Sequence, residues 1–134
     1  MDYILLTVIF AVLLMNVASI WPIERRSLRS ISLNNFLALF LFYLTMLIGF
    51  GLVYTVLQMN EHQVLLISDG NNDISFYELF QESLYFSAIT LLSIGYGDVV
   101  PIGVGRWIAI VEALLGYTIP AALIVQTVID FEKK

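Results

Sequence analysis

The chain has 134 residues, of which 60% are hydrophobic and 13% charged, with a formal net charge of −5. Its mean hydropathy of +0.90 places it among membrane proteins rather than soluble globules. The negative balance argues against a nucleic-acid partner. The lack of cysteine excludes disulfides and thiolate metal sites, and one histidine, His62, cannot by itself build a metal or catalytic cluster. The length allows one small domain, so an enclosed aqueous path would need walls from several copies.

The first predicted element covers residues 1–21, where Tyr3 to Trp21 carries no charge. A signal peptide would begin with positive charge and end at a small-residue cleavage site, whereas this segment begins Met1-Asp2 and ends Trp21-Pro22. An interfacial helix would have a very thin polar face. A retained, extra N-terminal transmembrane helix is the expectation. Residues 22–33 form a basic linker with Arg25, Arg26 and Arg29. These three fix topology and, with Ile23, Leu28 and Ile31 interleaved, suit a surface helix on anionic lipid.

Phe36 to Leu57 is uncharged, and Trp107 to Ile129 contains only Glu112. At ~1.5 Å per residue such runs cover the ~30 Å of a hydrocarbon core. The predicted spans are an outer helix at 34–59 and an inner helix at 102–131. Five of the six cations fall before the outer helix or after the inner one, leaving Arg106 alone between them. That bias predicts a cytoplasmic C-terminus. Trp21 and Trp107 flank spans, as interfacial aromatics do.

Between these spans, at 60–92, Asp69-Gly70-Asn71-Asn72-Asp73 reads as a turn and His62 as a solvent-facing loop residue. Ser75-Phe76-Tyr77-Glu78 reads as a capping box opening a helix that ends near Leu92. That helix is too short, and too polar at its start, to cross a bilayer. It fits a re-entrant segment. No internal repeat or low-complexity tract is present.

Ser93-Ile-Gly-Tyr-Gly-Asp98 follows at once. Irregular backbone at membrane depth is tolerated only where protein buries it or water lines it. The stretch is therefore predicted to line a pore. Gly95 and Gly97 permit left-handed backbone angles. The side chains of Ile94 and Tyr96 then point outward and pack, with Tyr85 and Phe86 as neighbours for Tyr96. The preceding helix aims the negative end of its dipole at the pore, which favours a cation.

These residues resemble the potassium-channel signature Thr-Val-Gly-Tyr-Gly-Asp. Over residues 34–131 the order of elements is similar to the pore domain of bacterial two-helix potassium channels. The resemblance implies an all-α membrane protein: outer helix, re-entrant pore helix with filter loop, inner helix, and here an extra N-terminal helix. It implies a homotetramer conducting K⁺ passively, with no bond made or broken. Carbonyls of Ser93, Ile94, Gly95 and Tyr96, with the Ser93 hydroxyl, would form the ion sites. Gly97 would cap the row and Asp98 would stand at the outer mouth. Gly105-Arg106 would begin the inner helix, and Gly116 falls at the family's hinge.

Some features depart from that pattern. Ser93 replaces the usual threonine, keeping the hydroxyl and losing a methyl. Ile89 stands where some members place a glutamate partner for the filter aspartate, so Asp98 needs another partner or stays solvated. No helix carries the spaced arginines of a voltage sensor, and no ligand-binding cytoplasmic domain is expected after Lys134. A weakly selective cation channel on the same scaffold is the nearest alternative, opposed by the intact glycines and Tyr96. A non-conducting subunit is the next. A transporter of pore-like repeats does not fit the length unless chains assemble.

Glu112 is the one acid deep in a span, where a charge costs roughly 2.5–3.5 kcal/mol. It lies about 140° around the helix from Tyr117. That places it behind the filter, as a support for pore-helix or filter backbone or as a neutral acid in a polar pocket. Glu112→Gln would alter filter stability in the first case and preserve function in the second. Gly116 is a hinge or a close-packing residue, and Pro120 bends the helix in either case. Tyr117, Pro120, Ile124 and Val128 share a face proposed as cavity and gate. Asp130 and Glu132 would form an acidic ring at the inner mouth or a solvated helix end.

Overall fold

A computed structural model describes residues 2–20, 33–60, 62–67 and 75–132. Arg25, Arg26, Arg29, Trp21, the 69–73 turn and the two terminal lysines lie outside these. Six elements follow one another: α1 (Asp2–Ile20), α2 (Leu33–Met59), β1 (Leu65–Ile67), α3 (Phe76–Leu91), β2 (Val99–Pro101) and α4 (Gly105–Glu132). Among the described residues one stretch, Leu39–Met59, is long and apolar enough to cross a membrane.

The core is a stripe along α2. Phe42, Met46, Phe50 and Tyr54 recur every four residues, so they share one face, and all are buried. Phe86, Ile89 and Leu91 of α3, Leu13 of α1, Ala109 of α4, and Val64, Leu65 and Val99 at the ribbon join the same cluster. Two glycines let neighbours reach the α2 backbone. A Cβ on Gly51 would lie 3.1 Å from the Leu84 Cα, which brings α3 close against α2. A side chain on Gly49 would meet Leu13, the knob by which α1 docks on α2.

Hydroxyls inside these helices bond back to the preceding turn. Thr45 donates to Leu41, Thr55 to Gly51 and Thr118 to Leu114, at 2.7–2.8 Å. This removes polar hydrogens from apolar surroundings without any tertiary partner.

Helix α3 starts where its capping box places it. The Ser75 hydroxyl accepts from the Glu78 amide, and the Glu78 carboxylate accepts from the Ser75 amide at 3.0 Å. That backbone bond holds the Glu78 carboxyl below its ordinary range. The helix ends at Leu91, one residue short of the expected end.

Two details differ from expectation. The fold is not wholly helical: β1 and β2 form a short antiparallel ribbon pairing Leu65 with Pro101 and Ile67 with Val99. Its cause is local. Gln58, at the end of α2, accepts from the Val64 and Leu65 amides and donates to the Leu65 carbonyl. This holds the strand extended beside the chain that leaves residue 98. Also, α4 begins at Gly105, where the Gly105-Arg106 pair was expected to start it, three residues inside the bound of 102 drawn for the inner helix. Gly103, at φ +51, makes the turn, and Gly105 packs against the Val64 carbonyl, where a Cβ would overlap. Helix α4 then runs unbroken through Pro120.

Candidate functional site

Helix α3 delivers the chain to the 93–98 segment and stays bonded to it. The Ile94 and Gly95 amides both donate to the Ile89 carbonyl, at 2.8 and 3.3 Å. Beyond that anchor the backbone alternates. Ser93, Gly95 and Gly97 have φ of +57, +61 and +79, whereas Ile94 and Tyr96 are not left-handed. Alternation of this kind gathers successive N–H groups on one side of the chain, as the Ile94 and Gly95 amides converging on Ile89 do. The two glycines adopt such angles freely. Ser93 does not, and a non-glycine residue there costs on the order of 1–3 kcal/mol.

The segment has little of its own chain around it. A Cβ added at Gly95 or Gly97 would meet nothing within 4 Å. Ile94 is 49% exposed and Tyr96 72% exposed. An open depression of about 540 Å³ is lined by Thr90, Ser93 and Gly95 together with Arg106, Ala109 and Ile110 of α4. Trp107, Ile110, Leu114 and Tyr117 on α4 are exposed as well.

At the segment's end Asp98 has a partner. The Tyr85 hydroxyl donates to it at 2.6 Å, and the Val99 amide adds a bond at 3.1 Å. The Tyr85 bond chiefly holds the Asp98 carboxyl below its ordinary range, and it pushes the Tyr85 hydroxyl up to about 12. Tyr85, named as a neighbour for Tyr96, lies close enough to feel it and spends its hydroxyl on Asp98. Phe86 turns away and packs edge-on to Tyr54, ring centroids 5.1 Å apart.

Glu112 is fully buried and faces α2 and α3, where it bonds side-chain hydroxyls rather than the pore-helix or filter backbone that the support reading expected. Its Oε2 accepts from the Tyr54 hydroxyl of α2 at 2.9 Å, and its Oε1 lies 2.5 Å from the Ser87 hydroxyl oxygen of α3. Four residues on, the Tyr43 hydroxyl donates to the Gly116 carbonyl at 2.8 Å. A Cβ on Gly116 would overlap the Leu91 carbonyl. Gly116 is therefore a point of close approach between α4 and the end of α3. Pro120 is partly buried; the side chains of Ile124 and Val128 lie outside the described residues.

Sequence reasoning missed Tyr54, Ser87, Tyr43 and Gln58. A signal existed for Tyr54: a tyrosine inside an apolar span needs a hydrogen-bond partner, and Glu112 was the one acid available at depth. Ser87 carried no comparable signal, because a serine in a helix is usually satisfied by the preceding turn.

The ion-channel family profile matches residues 42–133 of this sequence, from the middle of α2 through α4. The chain belongs to the ion-channel family. Protein LctB of Bacillus caldotenax is 46% identical over the full length of both chains, and Protein LctB of Geobacillus stearothermophilus 44% identical over the full length of both. No solved structure matches. In this channel the 93–98 segment and Glu112 both fall inside the family match, whereas α1 lies outside it but inside the full-length match to the two LctB proteins. An ion channel moves its cargo unchanged, so the site is judged by how it holds an ion. Family and apolar helix together point to a membrane location.

Proposed function

We propose that this channel is a potassium-selective pore built from four copies, with residues 93–97 of each copy around a common axis. The observation that carries this reading is the alternation of left-handed angles at Ser93, Gly95 and Gly97. With the Ile94 and Gly95 amides spent on Ile89, the carbonyls of Ser93, Ile94, Gly95 and Tyr96 are free to replace an ion's water. The Ser93 hydroxyl adds the innermost ligand, Gly97 closes the row, and Asp98 adds negative charge at the outer mouth. Passive conduction needs no other cofactor than the permeant K⁺.

Assembly accounts for what the single chain leaves open. Exposed Tyr96, Ile94 and the apolar face of α4 form a surface that neighbouring copies would cover. In this reading α1, α2 and α4 all span, the C-terminus is cytoplasmic, and Arg25, Arg26 and Arg29 meet the inner leaflet, where anionic lipid favours them. Gly116 is held by Leu91 and Tyr43, so the bend of the inner helix falls to Pro120. Ile124 and Val128 beyond it form the gate.

The test is the reversal potential of purified protein in planar bilayers with K⁺ on one side and Na⁺ on the other. A potential near the K⁺ equilibrium value is expected. A value near zero would point to a weakly selective cation channel, and no current at all to a non-conducting subunit.

A further inference from the structure

Around Glu112 the hydrogens do not add up if its carboxyl is ionised. The Ser87 hydroxyl oxygen lies 3.0 Å from the Leu47 carbonyl of α2 and 2.5 Å from Glu112 Oε1. A carbonyl only accepts, an ionised carboxylate only accepts, and serine holds one hydrogen. Ser87 then satisfies one neighbour only, and its oxygen lone pairs face the Leu47 carbonyl oxygen at 3.0 Å with no hydrogen between them, a repulsive contact in a dry interior.

One added proton resolves the conflict. With a hydrogen on Oε1, Glu112 donates to Ser87, Ser87 donates to Leu47, and Tyr54 donates to Oε2 at 2.9 Å. Every hydroxyl hydrogen then has an acceptor, and one continuous chain ties α4 to α3 and to α2. The surroundings agree. Glu112 has no exposed surface. Its bonded neighbours are a tyrosine from α2 and a serine from α3, neither of them cationic. Arg106, the one arginine or lysine among the described residues, lies six residues earlier, ~9 Å along the helix. Its Nε donates to the Pro101 carbonyl. A buried carboxylate with no cation is strongly disfavoured.

We propose that Glu112 is held as a neutral acid and acts as a hydrogen donor, a positioning residue that fastens the pore helix to the outer helix through Ser87. Ionisation claims the Ser87 hydrogen and releases the Leu47 carbonyl. This loosens α3 from α2 six residues before Ser93. The inference stands on bonding geometry and does not depend on which ion the channel passes.

Infrared spectroscopy of the full chain in lipid at neutral pH tests it. A protonated carboxyl absorbs apart from carboxylates. The expected spectrum has one such band, absent in Glu112→Gln and shifted to higher frequency in Ser87→Ala, where the acid hydrogen loses its acceptor. Wild-type protein showing only carboxylate absorption overturns the proposal whatever the variants do. So does a band that survives Glu112→Gln or stays unmoved in Ser87→Ala. If Glu112→Gln does not fold, the Ser87→Ala shift alone decides.

Discussion

Replacing Gly116 with alanine separates a packed glycine from a hinge. The new methyl would sit 2.8 Å from the Leu91 carbonyl carbon and 3.1 Å from its Cα, and closer still to the carbonyl oxygen, where ordinary contact begins at 3.4 Å. The obstacle is main chain, so no rotamer change relieves it. Either α4 or the end of α3 must shift by on the order of 1 Å, and overpacking of this kind costs about 1–3 kcal/mol. The Tyr43 bond to the Gly116 carbonyl is strained by the same shift, which adds about 1 kcal/mol. Thermal unfolding of the reconstituted protein should fall accordingly, together with ion flux, because Leu91 stands two residues before Ser93. A true hinge would instead lose flux while keeping its melting temperature. Gly49→Ala is the internal control. Its nearest neighbour is the end of the Leu13 side chain, which can move, and Leu13→Ala should restore what is lost. Gly116→Ala protein with wild-type melting and wild-type flux would refute the close-packing argument.

Tyr85→Phe removes the bond that chiefly lowers the Asp98 carboxyl. A lowered acid keeps its ionised contact at and above the ordinary carboxylate range and loses it as pH falls through the lowered value. Without the hydroxyl that loss should move to higher pH, read as the titration midpoint of the labelled Asp98 carboxyl by NMR. An unmoved midpoint would show that the bond does not govern the charge. Ser83→Ala is expected to stabilise. Ser83 is fully buried and its hydroxyl has no partner among the described residues, so removing it relieves about 1 kcal/mol or more of uncompensated desolvation. A lower melting temperature would mean that the hydroxyl is bonded after all, for instance to a bound water.

The helices were legible because each leaves a long or sharply punctuated signal. The uncharged run at Phe36–Leu57 and the capping box at Ser75 have single physical readings, whereas the run at Tyr3–Trp21 also admitted a signal peptide or an interfacial helix. The ribbon was not legible: three residues per strand are too few for any alternation, and its cause, Gln58, acts through contacts six and seven residues away. The depth of Glu112 and its direction followed from helical angle. Its partners did not, because nothing in one helix's sequence tells which hydroxyl of another will face it. Asp98 shows the same limit. The want of a glutamate at Ile89 was readable, but the substitute, Tyr85, emerged only from the way α3 packs.

What holds the 93–98 segment in its strained form is the last two turns of α3, gripped from three directions. Ser87 is tied to α2 and to Glu112 of α4. The Ile89 carbonyl receives the Ile94 and Gly95 amides. Leu91 is stopped by Gly116, whose carbonyl Tyr43 holds. Each grip is worth about 1 kcal/mol or a little more as a hydrogen bond, and the left-handed Ser93 costs on the order of 1–3. The sums are comparable. The segment's shape is thus not intrinsic to its own residues but imposed by α2 and α4 acting through α3, and a change as distant as Tyr54 or Tyr43 should be felt at Gly95.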